Sequence, residues 1–293
     1  MVIKRTRSDA VFDAVAILLG ILIMIAIVYP LYFIVIASFS SPAEVANGHV
    51  WLLPKSITFE GYQRILDDSR IWLGYRNTIL FTIVGTFISL AFTVPAGYAL
   101  SRKDLRGRQA IMIFFMITMF FGGGLIPTYL TVSKFGLTNT FWVVVLPFSV
   151  SVYNMIVVRT FFQTNVPQEL LEAAQLDGCS NWRFFFSIVL PLSKAILAVI
   201  GLYCAVGQWN QYFTSLVYVR DPNLIPLQQV LRNILLQNQA VSGTGALAQA
   251  ELQRVADIMK YGVIIVSTLP VMCVYPFVQK YFNKGVMIGA VKG

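Results

Sequence analysis

Charged residues are scarce in this sequence: Asp, Glu, Lys and Arg make up 12% of its 293 residues. A soluble domain usually carries about 25% charged residues. Here 57% of the residues are hydrophobic, so an ordinary soluble domain is excluded. A bilayer core about 30 Å thick needs roughly 20 apolar residues for each helix that crosses it. The number of such apolar segments, rather than the length of the chain, therefore bounds the fold.

Residues that bind metals or carry redox chemistry are also few. The only histidine is His49, and the three cysteines are too widely separated for a metal or redox motif. An odd number of cysteines makes no disulfide framework, and no GxxxxGK[ST] phosphate loop occurs. We therefore expect the chain to bind no metal, nucleotide or other cofactor of its own and to catalyse no reaction.

Six apolar segments are long enough to cross a membrane. Each should be a helix, because a helix satisfies its own backbone groups where lipid offers no partner. The alternating ten-residue segments of a transmembrane barrel are absent. The predicted spans are Ala14–Phe39, Ile79–Leu100, Ala110–Val132, Phe141–Phe162, Phe184–Gly207 and Tyr261–Phe282. The predicted fold class is therefore all-α and integral to the membrane, with six transmembrane helices in one domain of residues 1–293.

The positive charges predict the orientation of these spans. Lys4, Arg5 and Arg7 precede span one. The loop after span two holds Arg102, Lys103, Arg106 and Arg108, and span six is followed by Lys280, Lys284 and Lys292. Cytoplasmic loops of membrane proteins carry such an excess. We therefore expect a multi-pass membrane protein with both termini in the cytoplasm. The net charge of +9 follows from this bias, and no nucleic-acid partner is expected.

Glycines and prolines mark places where these spans could be interrupted. Gly122, Gly123 and Gly124 in span three favour either a close helix contact or a local break. Pro147 and Pro191 lie in spans four and five, where proline removes a helical hydrogen bond and kinks the helix. We interpret most such prolines as packing kinks.

The loop between spans four and five departs from the positive bias, because it holds Glu169, Glu172 and Asp177. Residues 168–177 favour a helix, Pro167 suits its first turn, and Gly178 predicts a left-handed stop. Two alanines, Ala173 and Ala174, leave the helix surface low enough for a partner to approach closely. The alternative is an ordinary interfacial helix that ties spans four and five together.

The same loop carries a recognisable spacing. "EAAQLDGCSNWRFFFSIVLP", residues 172–191, reads Glu-Ala-Ala, three residues, Gly, nine residues, Ile-x-Leu-Pro, and it resembles the EAA loop of ABC importer permeases. With "GQWNQYFTSLVYV" at 207–219 and the final "GVMIGAVKG", nearly the whole chain resembles the MalG-type permease of carbohydrate-uptake ABC importers. The stretch 120–147 is most similar to permeases of oligosaccharide importers, including those for acidic sugars of the alginate and aldouronate type.

The resemblance implies a type I ABC importer permease fold with a cytoplasmic coupling helix in the loop at about 163–191. In that family the helix fits a cleft of the ATPase subunit, and closure of two ATPase subunits around ATP drives alternating access. The motif matches at Glu172, Ala173, Ala174, Gly178, Ile188, Leu190 and Pro191. The residues that the resemblance assigns to ATPase coupling are Glu172, Ala173, Ala174, Asp177, Gly178, Leu190 and Pro191. The implied partners are these two ATPases, which hold ATP and Mg, a homologous second permease subunit, an extracytoplasmic solute-binding protein, the oligosaccharide and membrane lipid.

Candidate cargo contacts lie at the outer end of span five. Polar groups and aromatic faces hold sugars, and Gln208, Trp209, Asn210 and Tyr212 offer both; an interfacial aromatic anchor is the alternative. Asn154 in span four adds a polar group at membrane depth. The uncharged stretch 237–250 reads as a flexible loop. By resemblance it enters the docked binding protein, and its candidate residues are Ser242, Gly243, Thr244 and Gly245.

Other functions compete with a carbohydrate permease. An ABC permease for another solute, such as an amino acid or phosphate, would also carry an EAA loop. An integral membrane enzyme would need an acid/base pair, but only Arg159 and Lys194 are charged well inside the spans. A channel or self-sufficient carrier would lack the docking loop, and the spans carry few charges suited to ion coupling.

Overall fold

The computed structural model describes residues 7–237, 254, 257–274 and 276. Every regular element among those residues is a helix, which confirms the all-α prediction. The α-helices are α1 (Arg7–Ser38), α2 (Pro42–Ala46), α3 (Glu60–Asp67), α4 (Ser69–Ser101), α5 (Arg108–Phe120), α6 (Leu125–Lys134), α7 (Phe141–Val145), α8 (Val152–Asn165), α9 (Gln168–Leu176), α10 (Asn181–Phe184), α11 (Leu190–Leu192), α12 (Lys194–Trp209), α13 (Phe213–Tyr218), α14 (Leu227–Gln237) and α15 (Asp257–Val274). A π-helical stretch, Phe185–Val189, joins α10 to α11, and a 3-10 turn, Pro222–Leu224, follows α13.

Three single helices of the described chain are long and apolar enough to cross a membrane: α1, α4 and α15. Two bent pairs pass the same test together, α5 with α6 and the Asn181–Leu192 segment with α12, which gives up to five spans. The count of six and the cytoplasmic placement of both termini stay predictions. The end of predicted span six lies outside the described residues.

The predicted start of span two at Ile79 is too late, since α4 begins at Ser69. Arg76 and Asn77 interrupt the apolar run, so the sequence suggested that the span begins after them. In the structure Asn77 is buried inside the helix, and its amide donates to the carbonyls of Asn223 and Ile225 at 2.7 and 3.0 Å. A polar residue with its bonds satisfied does not end a helix. Likewise α15 begins at Asp257, before the predicted Tyr261.

Span three is not one helix. Its two parts, α5 and α6, meet at 115° across a short non-helical segment that includes all three glycines. Gly124 has φ +81°, a left-handed conformation that other residues adopt with difficulty, and it precedes the first residue of α6. The apolar segment predicted at Ala110–Val132 therefore holds two helices, and of the two interpretations of its glycines the local break is confirmed.

Span four is also divided. The short helix α7 ends at Val145, before Pro147, which has no amide to continue the helical hydrogen bonds. Helix α8 starts anew at Val152. The Ser151 side chain caps it by accepting a hydrogen bond from the backbone amide of Asn154. The continuous helix predicted for Phe141–Phe162 is wrong for this reason.

Span five differs in the same way. Its helical segment begins at Asn181, capped by the Ser180 side chain, and then bends by 81° before α12. Pro191 contributes no amide at this point, and the π-helical stretch that precedes it shifts the hydrogen bonds from the i−4 to the i−5 carbonyl. A continuous helix at Phe184–Gly207 is therefore also wrong.

The chain folds as two compact units. One holds the residues through Ser69 together with Leu231–Leu269. Within it, Tyr62 donates to the Ser38 hydroxyl at 2.8 Å and stacks on Phe39, with ring centroids 5.2 Å apart. Gly61 lets α3 and α15 approach closely, because a Cβ there would lie 2.5 Å from the Ile258 carbonyl oxygen. The single-domain prediction for residues 1–293 stays a prediction.

The other unit, Arg70–Val230 with the chain from Pro270, is organised around α4. Another helix packs closely against each of three glycines along α4: α14 at Gly74, α12 at Gly85 and α8 at Gly97. A Cβ at Gly85 would lie 2.5 Å from the Gln208 amide nitrogen, and one at Gly97 would lie 2.7 Å from Val158. Small residues thus set the close helix approach that is typical of membrane bundles.

Candidate coupling site

Helix α9 is the predicted short helix between spans four and five. Pro167 precedes its first residue, and Gly178 follows its end with φ +72°. The Gly178 amide donates to the Gln175 carbonyl at 3.0 Å, and the Cys179 amide donates to the Ala174 carbonyl at 2.8 Å. These two bonds form a Schellman motif, which needs a left-handed residue where the glycine stands. The predicted stop at Gly178 is therefore confirmed.

The two faces of α9 have different surroundings. Ala174 is 7% exposed and packs with Phe162 and Phe184 in an apolar cluster of the chain itself, while Leu171 lies at the edge of that cluster. Glu172, Ala173, Asp177 and Gly178 are all exposed. The two alanines do not form one low surface as predicted, because successive residues of a helix point about 100° apart and only Ala173 is open to a partner.

Leu176 is a residue that the sequence interpretation missed. It is 90% exposed at the last position of α9, beside Asp177 and Gly178. Leu170 and Ala173 precede it at three-residue intervals and are exposed too, so the three lie along one outward side of the helix. That helical spacing of apolar residues was the available signal.

Leu190 and Pro191 lie apart from the exposed face of α9. Leu190 is partly buried against the same cluster as Ala174, and Pro191 is exposed at the 81° bend. The cluster also contains Val158 of α8, Phe185 and Val189 of the π-helical stretch, and Ile196 and Ile200 of α12. Helix α9 is thus packed onto the helices on both sides of its loop.

A charged contact that the sequence did not predict holds this region to α4. The Arg102 guanidinium donates to both carboxylate oxygens of Asp104, at 2.8 and 2.6 Å, and to the Asn181 side-chain oxygen at 2.9 Å. Its side chain is 12% exposed and lies 6.0 Å from the centre of the Tyr98 ring. In the sequence, the positive charges of the loop after α4 indicated only the orientation of the spans. Nothing there predicted that Arg102 would bond to Asn181.

The electrostatics of the pair follow from these bonds. Hydrogen bonds from Arg102 hold the pKa of the Asp104 carboxyl below its usual value, and the same bonds raise the pKa of Arg102. Both groups therefore stay charged throughout the physiological range of pH. Asp104 is 60% exposed, so solvent screens much of the attraction.

A groove of about 310 Å³ lies between the α4–α5 loop and the start of α9. Its polar lining includes Arg102, Lys103 and Glu172. The Gln168 amide donates to the Glu172 carboxylate at 2.9 Å, one helical turn away, and so orients that carboxylate along α9. Polar groups of both signs thus line a concave surface directly beside the candidate coupling residues.

The candidate cargo residues do not converge on one site. Gln208 and Trp209 are buried, with Gln208 against Gly85 of α4 and Trp209 near the Tyr75 ring at 6.3 Å between centroids. Asn210 and Tyr212 are exposed.

Asn154 meets α12 at another point, where its amide contacts the Cys204 sulfur at 3.8 Å. Cys204 and Gln208 are four residues apart on one face of α12. Residues Ser242 to Gly245, the candidate binding-protein loop, lie outside the described residues.

Known proteins resemble this chain over almost its whole length. Protein LplC of Bacillus subtilis strain 168 is 38% identical over 290 residues, covering 99% of this chain and 97% of that protein. The polygalacturonan/rhamnogalacturonan transport system permease YtcP of the same organism is 37% identical over 276 residues, covering 94% and 96%. The crystal structure of a bacterial ABC transporter involved in the import of the acidic polysaccharide alginate contains a chain with 36% identity and a TM-score of 0.86, covering 96% of this chain and 99% of that one.

Residues 71–288 match the family described as "Binding-protein-dependent transport system inner membrane component". Components of this kind work with a second permease, an ATPase and a substrate-binding protein. The enzyme and the self-sufficient carrier are therefore set aside. The chain belongs to this family and is a multi-pass inner-membrane permease subunit of an ABC importer, whose ATP hydrolysis takes place on separate subunits.

Proposed function

We propose that this permease subunit imports an oligosaccharide, in particular an acidic one of the alginate or uronate type, that an extracytoplasmic binding protein delivers. A relative named for polygalacturonan and rhamnogalacturonan supports a carbohydrate cargo. The structural neighbour, whose title names an acidic polysaccharide, supports the acidic class. Both likenesses favour a sugar over the alternative of an amino acid or phosphate.

The observation that carries the mechanism is the two-sided environment of α9. Its outer side, with Glu172, Ala173, Leu176, Asp177 and Gly178, docks in the cleft of an ATPase subunit on the cytoplasmic side of the membrane. An exposed leucine beside a small alanine fits an apolar cleft, because burying a leucine side chain contributes roughly 1.5–3 kcal/mol. The loop 163–191 is thus the coupling element of this chain.

The inner side of α9 transmits the motion. Ala174 packs with Phe162 of α8 and with Phe184 and Phe185, so α9 cannot shift without moving the helices beside it. Leu190 continues this packing toward the bend at Pro191. Moving a two-state equilibrium from 1:99 to 99:1 requires about 5.5 kcal/mol of differential binding, and closure of the two ATPase subunits around ATP and Mg supplies it.

A second, homologous permease completes the path for the cargo. On this chain we assign cargo contacts to Asn154, Gln208, Trp209, Asn210 and Tyr212, with Asn210 and Tyr212 nearest the outside. The Gln208 side-chain oxygen is buried, and no described residue donates a hydrogen bond to it, so it can accept one from a sugar hydroxyl when the bundle opens. Ser242, Gly243, Thr244 and Gly245 belong to the loop assigned to the binding protein.

Assembly with the ATPase tests the proposal. Ala173→Trp places a bulky side chain on the exposed side of α9, whereas Thr160→Trp places the same bulk at an exposed position of α8 that precedes the loop 163–191. We expect the first variant, reconstituted with the second permease, to lose ATPase binding and uptake, and the second to keep both. Normal ATPase binding by Ala173→Trp would contradict docking on α9, while uptake of labelled uronate and neutral oligomers tests the cargo class separately.

A further inference from the structure

A second groove, of about 450 Å³, lies on another side of the Arg102 side chain, which lines both grooves. One wall is formed by Pro95 and Ala99 of α4 and by Leu105 and Arg106 of the loop that follows. Trp182 and Phe185, which follow the coupling helix, also line the groove. The groove therefore joins the end of a candidate span to the coupling segment.

The position of this groove relative to the membrane suits a lipid molecule. Pro95 and Ala99 lie one turn apart near the end of α4, a helix apolar enough to span the membrane, while Arg106 lies beyond its last residue, Ser101. The lower part of the groove is thus at the depth of acyl chains and the upper part at the depth of headgroups. Trp182 is 71% exposed at its edge, and tryptophan is enriched at the interface between membrane and water.

The charge of the groove identifies the class of headgroup. The loop at 102–108 carries four cationic side chains and one carboxylate, Asp104. That carboxylate is engaged with Arg102 at 2.6 and 2.8 Å. Arg106 is exposed, and no carboxylate of the described chain pairs with it. A basic pocket beside membrane helices binds anionic lipid headgroups.

We propose that this groove binds one anionic phospholipid, with an acyl chain along Pro95, Ala99 and Phe185 and the phosphate on Arg106. A lipid in this place contacts α4 and α10 together, so it supports the same junction as the Arg102–Asn181 hydrogen bond. The lipid composition of the membrane then affects how firmly the coupling segment is held.

Lipid retention by the purified importer complex tests the site. The complex is incorporated into nanodiscs of phosphatidylcholine and phosphatidylglycerol, and native mass spectrometry then measures the retained lipids. We expect retention of phosphatidylglycerol over phosphatidylcholine, and about fivefold lower retention in Arg106→Gln, since one basic residue near the surface contributes that much. Lys103→Gln is the matched control, because Lys103 belongs to the same loop but lines the other groove.

A second variant separates the apolar part of the site from its charge. Ala99 is exposed to the groove, so Ala99→Phe fills it without changing any charge, and retention should fall as in Arg106→Gln. Equal retention of the two lipids by the wild type overturns the proposal. Unchanged retention of phosphatidylglycerol by Arg106→Gln overturns it as well. Cross-linking of Arg106→Cys to a subunit of the importer, with no lipid retained, would assign the groove to a protein partner instead.

Discussion

Near the Ser69 end of α4, the neutral side chains of Asn77 and Thr78 bond to backbone groups, whereas just beyond the Ser101 end the charged side chain of Arg102 bonds to other side chains. Asn77 donates to two carbonyls, and Thr78 accepts from the Leu227 amide at 2.8 Å in a buried position. Asn139 nearby accepts from the amides of Arg220 and Asp221 at 2.8 and 2.7 Å. At the other end Arg102 holds Asp104 and Asn181, and two grooves remain open beside it.

The difference separates a fixed end from a working end. Bonds from a buried amide to the backbone have one geometry, and breaking them leaves polar groups without partners. Half-exposed bonds between side chains contribute less and reform easily in other arrangements. The coupling segment that we propose must move, so it needs the second kind of bond, and a frame that resists the motion needs the first. Variants at each end of α4 test this difference.

The largest loss of stability is expected from variants at the fixed end. Asn77→Ala removes a buried amide and leaves the carbonyls of Asn223 and Ile225 without their donor, so the free energy of unfolding should fall by about 3 kcal/mol. Thermal denaturation of the purified chain measures this. Asn165→Ala removes an amide that bonds mainly within its own helix, to Phe161, and should lower the unfolding free energy by less than about 1 kcal/mol. Equal losses in the two variants would contradict the comparison.

At the working end, function should suffer more than stability. Arg102→Gln removes the contact with Asn181 and the pair with Asp104, so α10 is held less firmly to α4. We expect uptake to fall about tenfold, equivalent to 1.4 kcal/mol of lost coupling, while ATP hydrolysis by the assembled complex persists. Arg64→Gln, which breaks a pair with Glu60 inside α3, is the control and should leave uptake unchanged. A parallel fall of hydrolysis and uptake in Arg102→Gln would indicate failed assembly instead.

Two left-handed glycines distinguish strain from docking. Gly178 and Gly107 have φ +72° and +77°, and neither has another atom close enough to meet an added Cβ. Alanine at either position should cost about 1–2 kcal/mol of backbone strain. Only Gly178→Ala should also weaken ATPase binding in a pull-down, because it changes the end of α9. The same weakening in Gly107→Ala would attribute the effect to strain alone.

The smallest effect concerns pH. The folded-state pKa of Asp104 is depressed by hydrogen bonds from Arg102, so its stabilising contribution is present above the unfolded pKa, about 3.9. That contribution is lost as the pH falls through the folded-state pKa. Because Asp104 is mostly exposed, the difference in stability between wild type and Asp104→Asn should be below about 1 kcal/mol at pH 7. It should shrink toward zero under acid, and a difference that grows in acid would reverse the assigned sign.

Much of the coupling segment could be predicted from sequence. The left-handed stop at Gly178 and the break at Gly122–Gly124 depend on neighbouring residues, so local patterns were sufficient. The inward orientation of Ala174 could not be predicted, because it depends on Phe162 and Phe184 of adjacent elements. The continuous helices predicted for spans four and five were wrong, since hydropathy counts apolar residues but does not register bends at proline.

The sequence alone determined that this is an all-helical membrane protein with an exposed, small-residue helix in one loop. Apolar runs in lipid have few other ways to satisfy their backbone groups. Only the tertiary structure decided where α4 begins and what holds its two ends. Asn77 finds its partners 146 and 148 residues further along the chain, and Arg102 finds Asn181 at a separation of 79 residues. Such contacts arise from packing between helices, which local periodicity does not encode.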